Sequence, residues 1–236
     1  MNKQEKIVSM FNDISKTYDV ANRVLSFGVD RKWREIACQK CFEIYAKDKI
    51  EKILDVACGT GDMCENWDKF ATKNSITIEQ IIGADPSTGM LEEAKKKALN
   101  ATFVEAQAKD LPFKDESVDI LSISYGLRNV VDRLEGLKEF HRVLKKDGLL
   151  VILEFTKPKK KTLISIFRDF YMKKILPVIG GILSKNFSAY NYLPNSIDGF
   201  LTTEDLVEEL KEVGFEVLEA KGYSMDISTL FIARKK

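Results

Sequence analysis

The chain has 236 residues, of which 44% are hydrophobic, and its 37 basic and 36 acidic side chains leave a formal net charge of +1. That length suits a single domain with a large core, so we treat 1–236 as one domain. The balanced charge argues against a general nucleic-acid binder. The first residues lack the apolar core of a signal peptide, and no apolar run is long enough to span a membrane. We therefore expect a cytoplasmic protein.

The first 48 residues are predicted to form a helical cap. An apolar stripe at helical spacing predicts an amphipathic helix over 3–16. The stripe comprises Ile7, Met10, Phe11 and Ile14. A loop or short helix follows over 18–33, and a further helix continues to about Ala46.

Cysteine and histidine are scarce, which limits the metal chemistry that the chain can support. Cys38 and Cys41 form a CxxC pair inside a helical segment, and His141 is the single histidine. A zinc site built from His and Cys needs more ligands, and a thioredoxin-like pair sits at a strand-to-helix junction. We predict no metal site and four small, partly buried thiols.

Strands and helices alternate through the middle of the chain. The predicted strands are the runs 50–57, 79–85, 100–106, 117–124 and 148–155. The predicted helices between them are 63–71, 88–99 and 134–144. Strands joined by crossover helices predict a mostly parallel sheet with helices on both faces.

The alternation stops after Pro158. Residues 157–200 are predicted to form an inserted helical lobe, with its helix interrupted at Pro177 and again at the glycine pair 180–181. A later helix has Thr203 as its predicted N-cap and ends at Gly214.

The last two β runs, 215–223 and 226–234, are close enough in sequence to pair as an antiparallel hairpin. The complete pattern predicts an α/β fold: a Rossmann-like, doubly wound, seven-stranded and mostly parallel sheet with a terminal antiparallel hairpin, N-terminal helices and an inserted helical lobe.

A glycine turn lies in the segment LDVACGTGD, between the first strand and its helix. Gly59 and Gly61 flank Thr60, and without a Cβ they let backbone amides approach a ligand closely. The second strand ends at Asp85, where an acid can accept both hydroxyls of a ribose. This pattern predicts an adenosine-bearing cofactor. The alternatives are a tight turn without a ligand and, for Asp85, an N-cap role.

Two residues near the turn indicate which cofactor binds. A dinucleotide fingerprint would continue to a third glycine, where this chain has Cys64, and this argues against NAD or FAD. Asp55, at the end of the first strand, would repel a phosphate but would suit a cationic ligand. S-adenosyl-L-methionine carries sulfonium and ammonium charges, so it is the predicted cofactor and Asp55 is a predicted cofactor residue.

Five separated segments resemble the ubiquinone/menaquinone-biosynthesis C-methyltransferase family, which are class I S-adenosylmethionine-dependent enzymes. The family's YDxMNxxxSxxxHxxW stands here as YDVANRVLSFGVDRKW, with Ala21 in place of Met and Asp30 in place of His. Its RVLKPGG is RVLKKDG, its ALPF is DLPF, its SFGLRN is SYGLRN, and its AYxYLxxSI is AYNYLPNSI. The resemblance implies C-methylation of a polyprenyl quinol ring, with demethylmenaquinol as the expected acceptor and 2-polyprenyl-6-methoxy-1,4-benzoquinol as the alternative.

The resemblance also implies roles for individual residues. The implied cofactor contacts are Thr60, Asp85 on the ribose, Gln107 and Ala108 on the adenine, and Ser124. Gly59 and Gly61 would let the backbone reach the methionine portion.

Methylation at a ring carbon is favoured when the quinol hydroxyl loses its proton, so the site should stabilise a phenolate. The candidate catalytic residues are Arg128, Asn129 and Tyr125. The candidate substrate residues are Tyr18, Asp19, Asn22 and Tyr190. Ordinary core packing is the alternative for the tyrosines.

The lobe has an unusual charge pattern. From Lys157 to Lys185 there are eight basic residues and one acidic residue, interleaved with apolar side chains. This pattern suits peripheral contact with the inner face of an anionic membrane, or an apolar groove for an isoprenoid tail. A plain helical cap over the core is the alternative, and a homodimer is left open.

Three other functions compete with the expected one. They are a different small-molecule methyltransferase, a non-catalytic nucleotide-binding protein and a nicotinamide-dependent reductase.

Overall fold

A computed structural model describes residues 1–97, 100–158, 170–184, 186–224 and 226–236. Its strands are β1 (Lys49–Val56), β2 (Thr77–Asp85), β3 (Thr102–Glu105), β4 (Val118–Ser124), β5 (Leu144–Glu154), β6 (Phe215–Tyr223) and β7 (Ser228–Lys235). They form one seven-stranded sheet in the order β3-β2-β1-β4-β5-β7-β6. The part of the predicted lobe over 159–169, and Lys185, lie outside the described residues.

The pairing confirms the predicted sheet. β1 to β5 are mutually parallel, whereas β7 runs antiparallel to both β5 and β6. β1 pairs with β2 on one side and with β4 on the other, so the strand order reverses there. Loops that leave two such strands diverge and open a crevice at their carboxyl ends, where open α/β sheets bind ligands.

Eight α-helices surround the sheet among the described residues. They are α1 (Lys3–Ser26), α2 (Val29–Tyr45), α3 (Asp62–Lys73), α4 (Thr88–Lys96), α5 (Arg133–Val143), α6 (Leu176–Ser184), α7 (Phe187–Asp198) and α8 (Thr203–Glu212). A short 3-10 turn spans Leu127–Asn129, and a π-helical turn at Tyr171–Ile175 leads into α6. None of the helices within the described ranges is both long and apolar enough to cross a membrane.

The first helix is longer than the predicted 3–16. α1 begins at a capping box formed by Asn2 and Glu5 and continues to Ser26. It ends because Phe27 and Gly28 both adopt left-handed backbone angles, with φ of 52° and 74°. The segment that was predicted as a loop or short helix is therefore shared between two regular helices, α1 and α2.

The predicted interruption of the lobe helix at the glycine pair is wrong. At Pro177 the chain stays helical, but the helix changes from π to α just before it, between Ile175 and Leu176. The two glycines do not break α6 but permit close packing against α7. A Cβ at Gly180 would lie 2.2 Å from the ring of Tyr190, and one at Gly181 would lie 2.2 Å from the ring of Phe187.

The predicted N-cap of α8 is also displaced by one residue. Thr202, not Thr203, accepts the hydrogen bond from the Asp205 backbone N–H, at 3.2 Å. The Thr203 hydroxyl instead lies 3.2 Å from that of Thr156, after β5.

Two apolar layers cover the sheet, one on each face. The first packs α2 and α3 on the strands, and its largest members include Trp33, Phe42 and Trp67. The second packs α5 and α8 on the other face, around Leu137, Phe140, Leu206 and Leu210. A third, smaller cluster joins α1 and α4 to the lobe helices through Ile14, Met90, Leu176 and Ala189. The third cluster holds α1 and the lobe beside the carboxyl end of the sheet.

Candidate functional site

The turn between β1 and α3 has left-handed backbone angles at both glycines. Gly59 has φ of 55° and Gly61 has φ of 81°, a region that glycine adopts without steric cost. The Gly59 N–H donates to Asp85 Oδ2 at 2.8 Å, which ties the turn to the end of β2. The predicted glycine turn and the predicted acid therefore meet at the point where the sheet order reverses.

Asp85 is buried at the end of β2. Its Oδ1 accepts from the Ser87 N–H at 2.8 Å, so each carboxylate oxygen already has one backbone donor. Burial raises the pKa of this carboxyl to about 6. Ser87, not Asp85, caps α4, because the Ser87 hydroxyl accepts from the Met90 N–H at 3.2 Å. Each Asp85 oxygen keeps a lone pair that can accept a further hydrogen bond.

A cavity of about 90 Å³, here called the switch-point cavity, lies in front of this turn. Five of the predicted cofactor residues line it: Gly59, Asp85, Gln107, Ala108 and Ser124. The side of α1 also borders it, through Gln4, Ile7, Val8 and Phe11.

Ser124 supplies an observation that fits a polar ligand in this cavity. Its hydroxyl oxygen is buried and has no hydrogen-bond partner among the described residues. A buried hydroxyl normally has a partner, so this group is available to a ligand that enters the cavity.

Three predicted cofactor residues, Gly61, Asp55 and Thr60, do not line either described cavity. Asp55 lies under the turn, where its Oδ1 accepts from the Ser122 hydroxyl at 2.6 Å, and burial raises its pKa to about 7. The Thr60 hydroxyl donates to Asp19 Oδ1 of α1 at 2.5 Å. Their roles toward a cofactor stay predictions.

A second cavity of about 600 Å³, here called the apolar cavity, adjoins the first. Phe11, Tyr18 and Tyr125 border both cavities. The apolar cavity is enclosed by α1, α2, the lobe and the segment after β5, through Met10, Ile14, Leu25, Phe155, Leu176 and Leu193. A large apolar space thus opens directly beside the glycine turn.

Three of the four predicted substrate residues line the apolar cavity, namely Tyr18, Asn22 and Tyr190. The Tyr190 hydroxyl is buried and has no partner among the described residues, and burial raises its pKa. Asp19 is turned away from the cavity, because its two oxygens contact the Thr60 hydroxyl and the Lys97 ammonium.

Tyr125 forms part of the wall between the two cavities. Its φ of 58° is left-handed, which is rare for a bulky residue and is typical of functional turns. Its ring stacks on Phe155 with 4.5 Å between centroids, and the Arg34 guanidinium lies 5.2 Å from the centroid. The hydroxyl lies 2.9 Å from that of Ser228. The ring is therefore held firmly in place.

Arg128 lines the apolar cavity but is already paired. Its Nη1 donates to Glu154 Oε1 at 2.7 Å, and its Nε donates to the Ser196 hydroxyl at 3.2 Å. Glu154 is fully buried and also accepts from the Arg128 backbone N–H at 3.1 Å. The pair is electrically neutral and rigidly oriented.

Asn129, the third predicted catalytic residue, lines the switch-point cavity. Its Oδ1 accepts from the Tyr192 hydroxyl at 3.0 Å, which ties the segment after β4 to α7. Tyr125, Arg128 and Asn129 are thus close in space, although they face different cavities.

Asp30 and Arg34 were not predicted as site residues, yet both line the apolar cavity. Arg34 Nη1 donates to Asp30 Oδ2 at 2.7 Å, and the Ser26 hydroxyl donates to Oδ1 at 2.6 Å. Arg23 forms a second ion pair with Asp30. A sequence signal existed, because Asp30 occupies the position of the histidine in the motif around Tyr18, but the motif alone does not reveal what surrounds it.

A chain of ion pairs connects α1 to the glycine turn. Lys97 lies between Asp19 and Asp62, at 2.7 and 2.8 Å, and Arg23 joins Asp62 to Asp30. Burial alone would raise the pKa of Asp62, but the charges of Arg34 and Lys97 lower it to about 2. The cap helix is therefore anchored on the turn by charged groups as well as by apolar contacts.

Comparisons with known proteins identify the family to which this chain is similar. The model of the ubiE/COQ5 methyltransferase family matches residues 1–235. The chain is 57% identical over 235 residues to the ubiquinone/menaquinone biosynthesis C-methyltransferase UbiE of Campylobacter jejuni (strain RM1221), covering 100% of each. It is 41% identical over 208 residues to the demethylmenaquinone methyltransferase of Thermotoga maritima, covering 88% of this chain and 87% of that protein.

Two solved structures show the likeness of the fold. The Haloferax volcanii methyltransferase in complex with the Trm112 activator has a TM-score of 0.62 at 16% identity, over 94% of this chain and 96% of that chain. An S-adenosylmethionine-dependent methyltransferase from Aquifex aeolicus has a TM-score of 0.58 at 15% identity, over 84% and 89%. The predicted fold class is confirmed.

Proposed function

This chain belongs to the ubiE/COQ5 methyltransferase family, and on that premise we propose that its acceptor is the ring of demethylmenaquinol. The protein is an S-adenosylmethionine-dependent C-methyltransferase of quinone biosynthesis, as the sequence predicted. The nicotinamide-dependent reductase and the non-catalytic nucleotide-binding protein are thereby excluded.

The proposal rests on one observation. The switch-point cavity and the apolar cavity adjoin, and the side chains of Tyr18 and Tyr125 line both of them. Methyl transfer requires the acceptor carbon to lie in line with the S–CH₃ bond of the donor, and much of the catalysis comes from this positioning. A donor at the glycine turn and a ring in the apolar cavity would meet at this shared wall. A cavity of about 600 Å³ has room for an aromatic ring and the first part of an isoprenoid tail.

Two observations favour a naphthoquinol over a benzoquinol. The Thermotoga maritima relative carries the name demethylmenaquinone methyltransferase. Trp33, Tyr125 and Phe155 form an aromatic group on one side of the apolar cavity, with 4.5 to 6.4 Å between ring centroids. A bicyclic ring offers such a group more stacking area than a single ring does. The benzoquinol is the alternative acceptor.

The cofactor placement follows from the residues that line the switch-point cavity. Asp85 would accept the ribose hydroxyls, Gln107 and Ala108 would contact the adenine, and the Ser124 hydroxyl would bind a polar group of the ligand. When bound, S-adenosylmethionine supplies an electrophilic methyl group on a sulfonium. The glycine turn would bring backbone amides close to its methionine portion.

Arg128 and Asn129 would act on the acceptor side. Because Glu154 neutralises Arg128, the arginine would stabilise negative charge on a ring oxygen through its fixed orientation rather than as an isolated cation. Asn129, held by Tyr192, would keep the segment after β4 in position between donor and acceptor.

The test is a direct assay of the acceptor. The purified protein is incubated with S-adenosylmethionine and either reduced short-chain demethylmenaquinone or the matching 6-methoxy-benzoquinol, and methylated products are measured by mass spectrometry. We expect the naphthoquinol to be methylated with the higher kcat/KM. Methylation of the benzoquinol alone would replace our acceptor with the alternative one.

Membrane contact is a second proposal. It rests on exposed apolar side chains of the lobe and of the adjacent end of α1. Phe27 is 83% exposed, Ile182 is 64% exposed and Phe187 is 53% exposed. Phe27 also borders the apolar cavity, and its ring centroid lies 6.3 Å from that of Tyr171. An isoprenoid tail leaving the cavity would emerge beside these side chains, so we propose that this face rests on an anionic membrane surface.

Vesicle co-sedimentation tests the membrane contact. We expect vesicles of anionic phospholipid to retain the wild-type protein and to lose most of the double variant Phe27→Ser, Ile182→Ser. Leu134→Ser, which removes an exposed leucine on α5, serves as the matched control and should bind as the wild type does. Equal binding of the double variant would overturn the proposal.

A further inference from the structure

We propose that Asp30 accepts the proton of the quinol hydroxyl during methyl transfer. This inference rests on the proposed function and assigns a base to the same site.

Asp30 is the one carboxylate among the described residues that line the apolar cavity, and none of those residues is histidine, lysine or cysteine. The other titratable groups there are two arginines and five tyrosines. Arginine does not deprotonate in proteins, so it cannot act as a base. Burial raises the pKa of every one of the tyrosines, namely Tyr18, Tyr125, Tyr171, Tyr190 and Tyr192.

The surroundings of Asp30 leave one oxygen accessible to a further partner. Oδ2 accepts from Arg34 and from Arg23, whereas among the described residues Oδ1 accepts only from the Ser26 hydroxyl. An ionised carboxylate oxygen has more than one acceptor position, so Oδ1 can accept a hydrogen bond from a ring hydroxyl.

Arg34 places this carboxylate near the reacting end of the cavity. The Arg34 guanidinium binds Asp30 and also lies over the Tyr125 ring, which borders both cavities. The Arg34 Nε is buried and has no hydrogen-bond partner among the described residues. An oxygen that gives its proton to Asp30 would therefore have an adjacent cationic donor.

Glu154, the partner of Arg128, is a competing carboxylate, but its position does not suit the role. It does not line the apolar cavity, and it is fully buried. Its two oxygens already accept from the Arg128 side chain and from the backbone N–H groups of Arg128 and Phe155. Glu154 is therefore a positioning residue for Arg128.

The step balances without any further reagent. The ring carbon forms a bond to the methyl group, and the electron pair of the S–CH₃ bond stays on sulfur. Positive charge then spreads over the ring to the neighbouring hydroxyl oxygen. The proton of this hydroxyl moves to Asp30, its bonding electron pair stays on the oxygen, and a C=O bond forms. The ring C–H proton then leaves to water and Asp30 returns its proton to the oxygen, which restores the aromatic quinol with one net proton released. A weak base suffices, because the hydroxyl becomes strongly acidic as the new bond forms.

The decisive variant is Asp30→Asn, compared with the wild type in single-turnover methylation of reduced short-chain demethylmenaquinone. General-base catalysis typically contributes roughly 100-fold or more, so we expect a loss of that size with the affinity for S-adenosylmethionine changed by less than about threefold. Asp119→Asn is the matched control. Asp119 is buried and ion-paired, as Asp30 is, but its partner is Lys145 and it lies at the start of β4, away from both cavities. It should keep the wild-type rate.

Asp30→His decides the matter if the asparagine variant does not fold. Two charged groups contact this position directly, Arg23 of α1 and Arg34 of α2. Behind them, Asp62 of α3 pairs with Arg23, and Tyr125 after β4 lies under Arg34. A histidine accepts a proton only when neutral, so the rate of this variant relative to the wild-type rate should fall as the pH is lowered from 8 to 5.5. Dividing by the wild-type rate at each pH removes the pH dependence that the two proteins share.

Two outcomes separate this inference from the proposed function. If the wild type does not methylate the naphthoquinol, the proposed acceptor fails. If the wild type does so and Asp30→Asn stays within threefold of its rate, or Asp30→His shows the wild-type pH profile, Asp30 is not the proton acceptor.

Discussion

The two cavities that meet at Tyr125 are built in opposite ways. The switch-point cavity is bounded mainly by the ends of neighbouring strands and the short turns that follow them, and its polar groups include backbone amides and the Asp85 carboxylate. The apolar cavity draws its wall from residues as far apart as Met10 and Ile227, on separate helices and a loop. The switch-point cavity is therefore formed mainly by the sheet, with α1 along one side, whereas the apolar cavity is formed mainly by the cap and the lobe. Variants should therefore affect donor binding and acceptor binding separately.

The largest effect is expected for Arg128→Ala, on the acceptor side. Removing one partner of a buried ion pair leaves Glu154 uncompensated, which lowers the free energy of unfolding by about 3 to 5 kcal/mol. The variant also loses a fixed donor to the ring oxygen, and removing such a donor typically lowers kcat by roughly 100- to 1000-fold, so we expect methyl transfer to fall by that factor while S-adenosylmethionine still binds. Calorimetric titration of the cofactor and a methylation assay measure the two quantities. Near-normal methylation would show that Arg128 has no part in the reaction.

Asp85→Asn tests the donor side. An amide at this position keeps the shape but carries no charge and offers one acceptor oxygen in place of two, so both ribose hydroxyls lose their charged acceptor. Two charge-assisted hydrogen bonds are worth roughly 3 kcal/mol together, so the Kd for S-adenosylmethionine should rise about 100-fold. Fluorescence-monitored binding of a quinone analogue should be unchanged. A parallel loss of quinone binding would contradict the separation of the two cavities.

Asp55→Asn tests the pH dependence of stability on the donor side. The pKa of Asp55 is raised from 3.8 to about 7 in the folded protein, mainly by burial, so the folded state binds a proton that the unfolded state has released. Its contribution to stability is therefore present at low pH and is lost as the pH rises through about 7. Between pH 5 and pH 8 this group should change the free energy of unfolding by roughly 2 kcal/mol.

Urea unfolding at both pH values measures this contribution, and Asp55→Asn should remove it. Asp85 also has a raised pKa, of about 6, so part of the pH dependence should persist in the variant. A variant with the full wild-type pH dependence would show that Asp55 is not the group responsible.

Gly180→Ala should have the smallest effect, and only on the acceptor side. The added Cβ would lie 2.2 Å from the Tyr190 ring, so α6 and α7 must separate slightly and the wall of the apolar cavity must shift. We expect KM for the quinol to rise about tenfold, since a methylene-sized misfit in an apolar pocket costs roughly 1 to 3 kcal/mol. The affinity for S-adenosylmethionine should not change. Gly199→Ala is a control, because a Cβ there contacts nothing closer than 3.4 Å.

Most of the sheet, and the meeting of the glycine turn with the end of the second strand, could be predicted from the sequence. Alternating apolar runs and helices identified the strands, and glycines 59 and 61 with Asp85 identified the turn and its partner strand. These signals are local, because a strand end and the turn after it are adjacent in the chain. Family resemblance added Gln107, Ala108 and Ser124, which do line the switch-point cavity.

Local signals failed where packing overrides them. The glycine pair after Pro177 predicts a helix end, yet α6 continues through it because the glycines admit the rings of α7. Asp19 belongs to the same motif as Tyr18, yet its carboxylate faces Thr60 and Lys97 rather than the cavity. The direction of a side chain on a cap helix depends on what the helix packs against.

The sequence by itself determined the fold class, the glycine turn and the donor, because these depend on periodicity and on motifs whose residues are neighbours in the chain, and the reaction followed from the resemblance to the family. Only the tertiary structure decided the shape of the apolar cavity, the pairing of Arg128 with Glu154 and the position of Asp30 between two arginines. Those contacts join residues that are distant in sequence or lie on separate helices. The strength of a buried charge depends on such neighbours, and no local pattern records them.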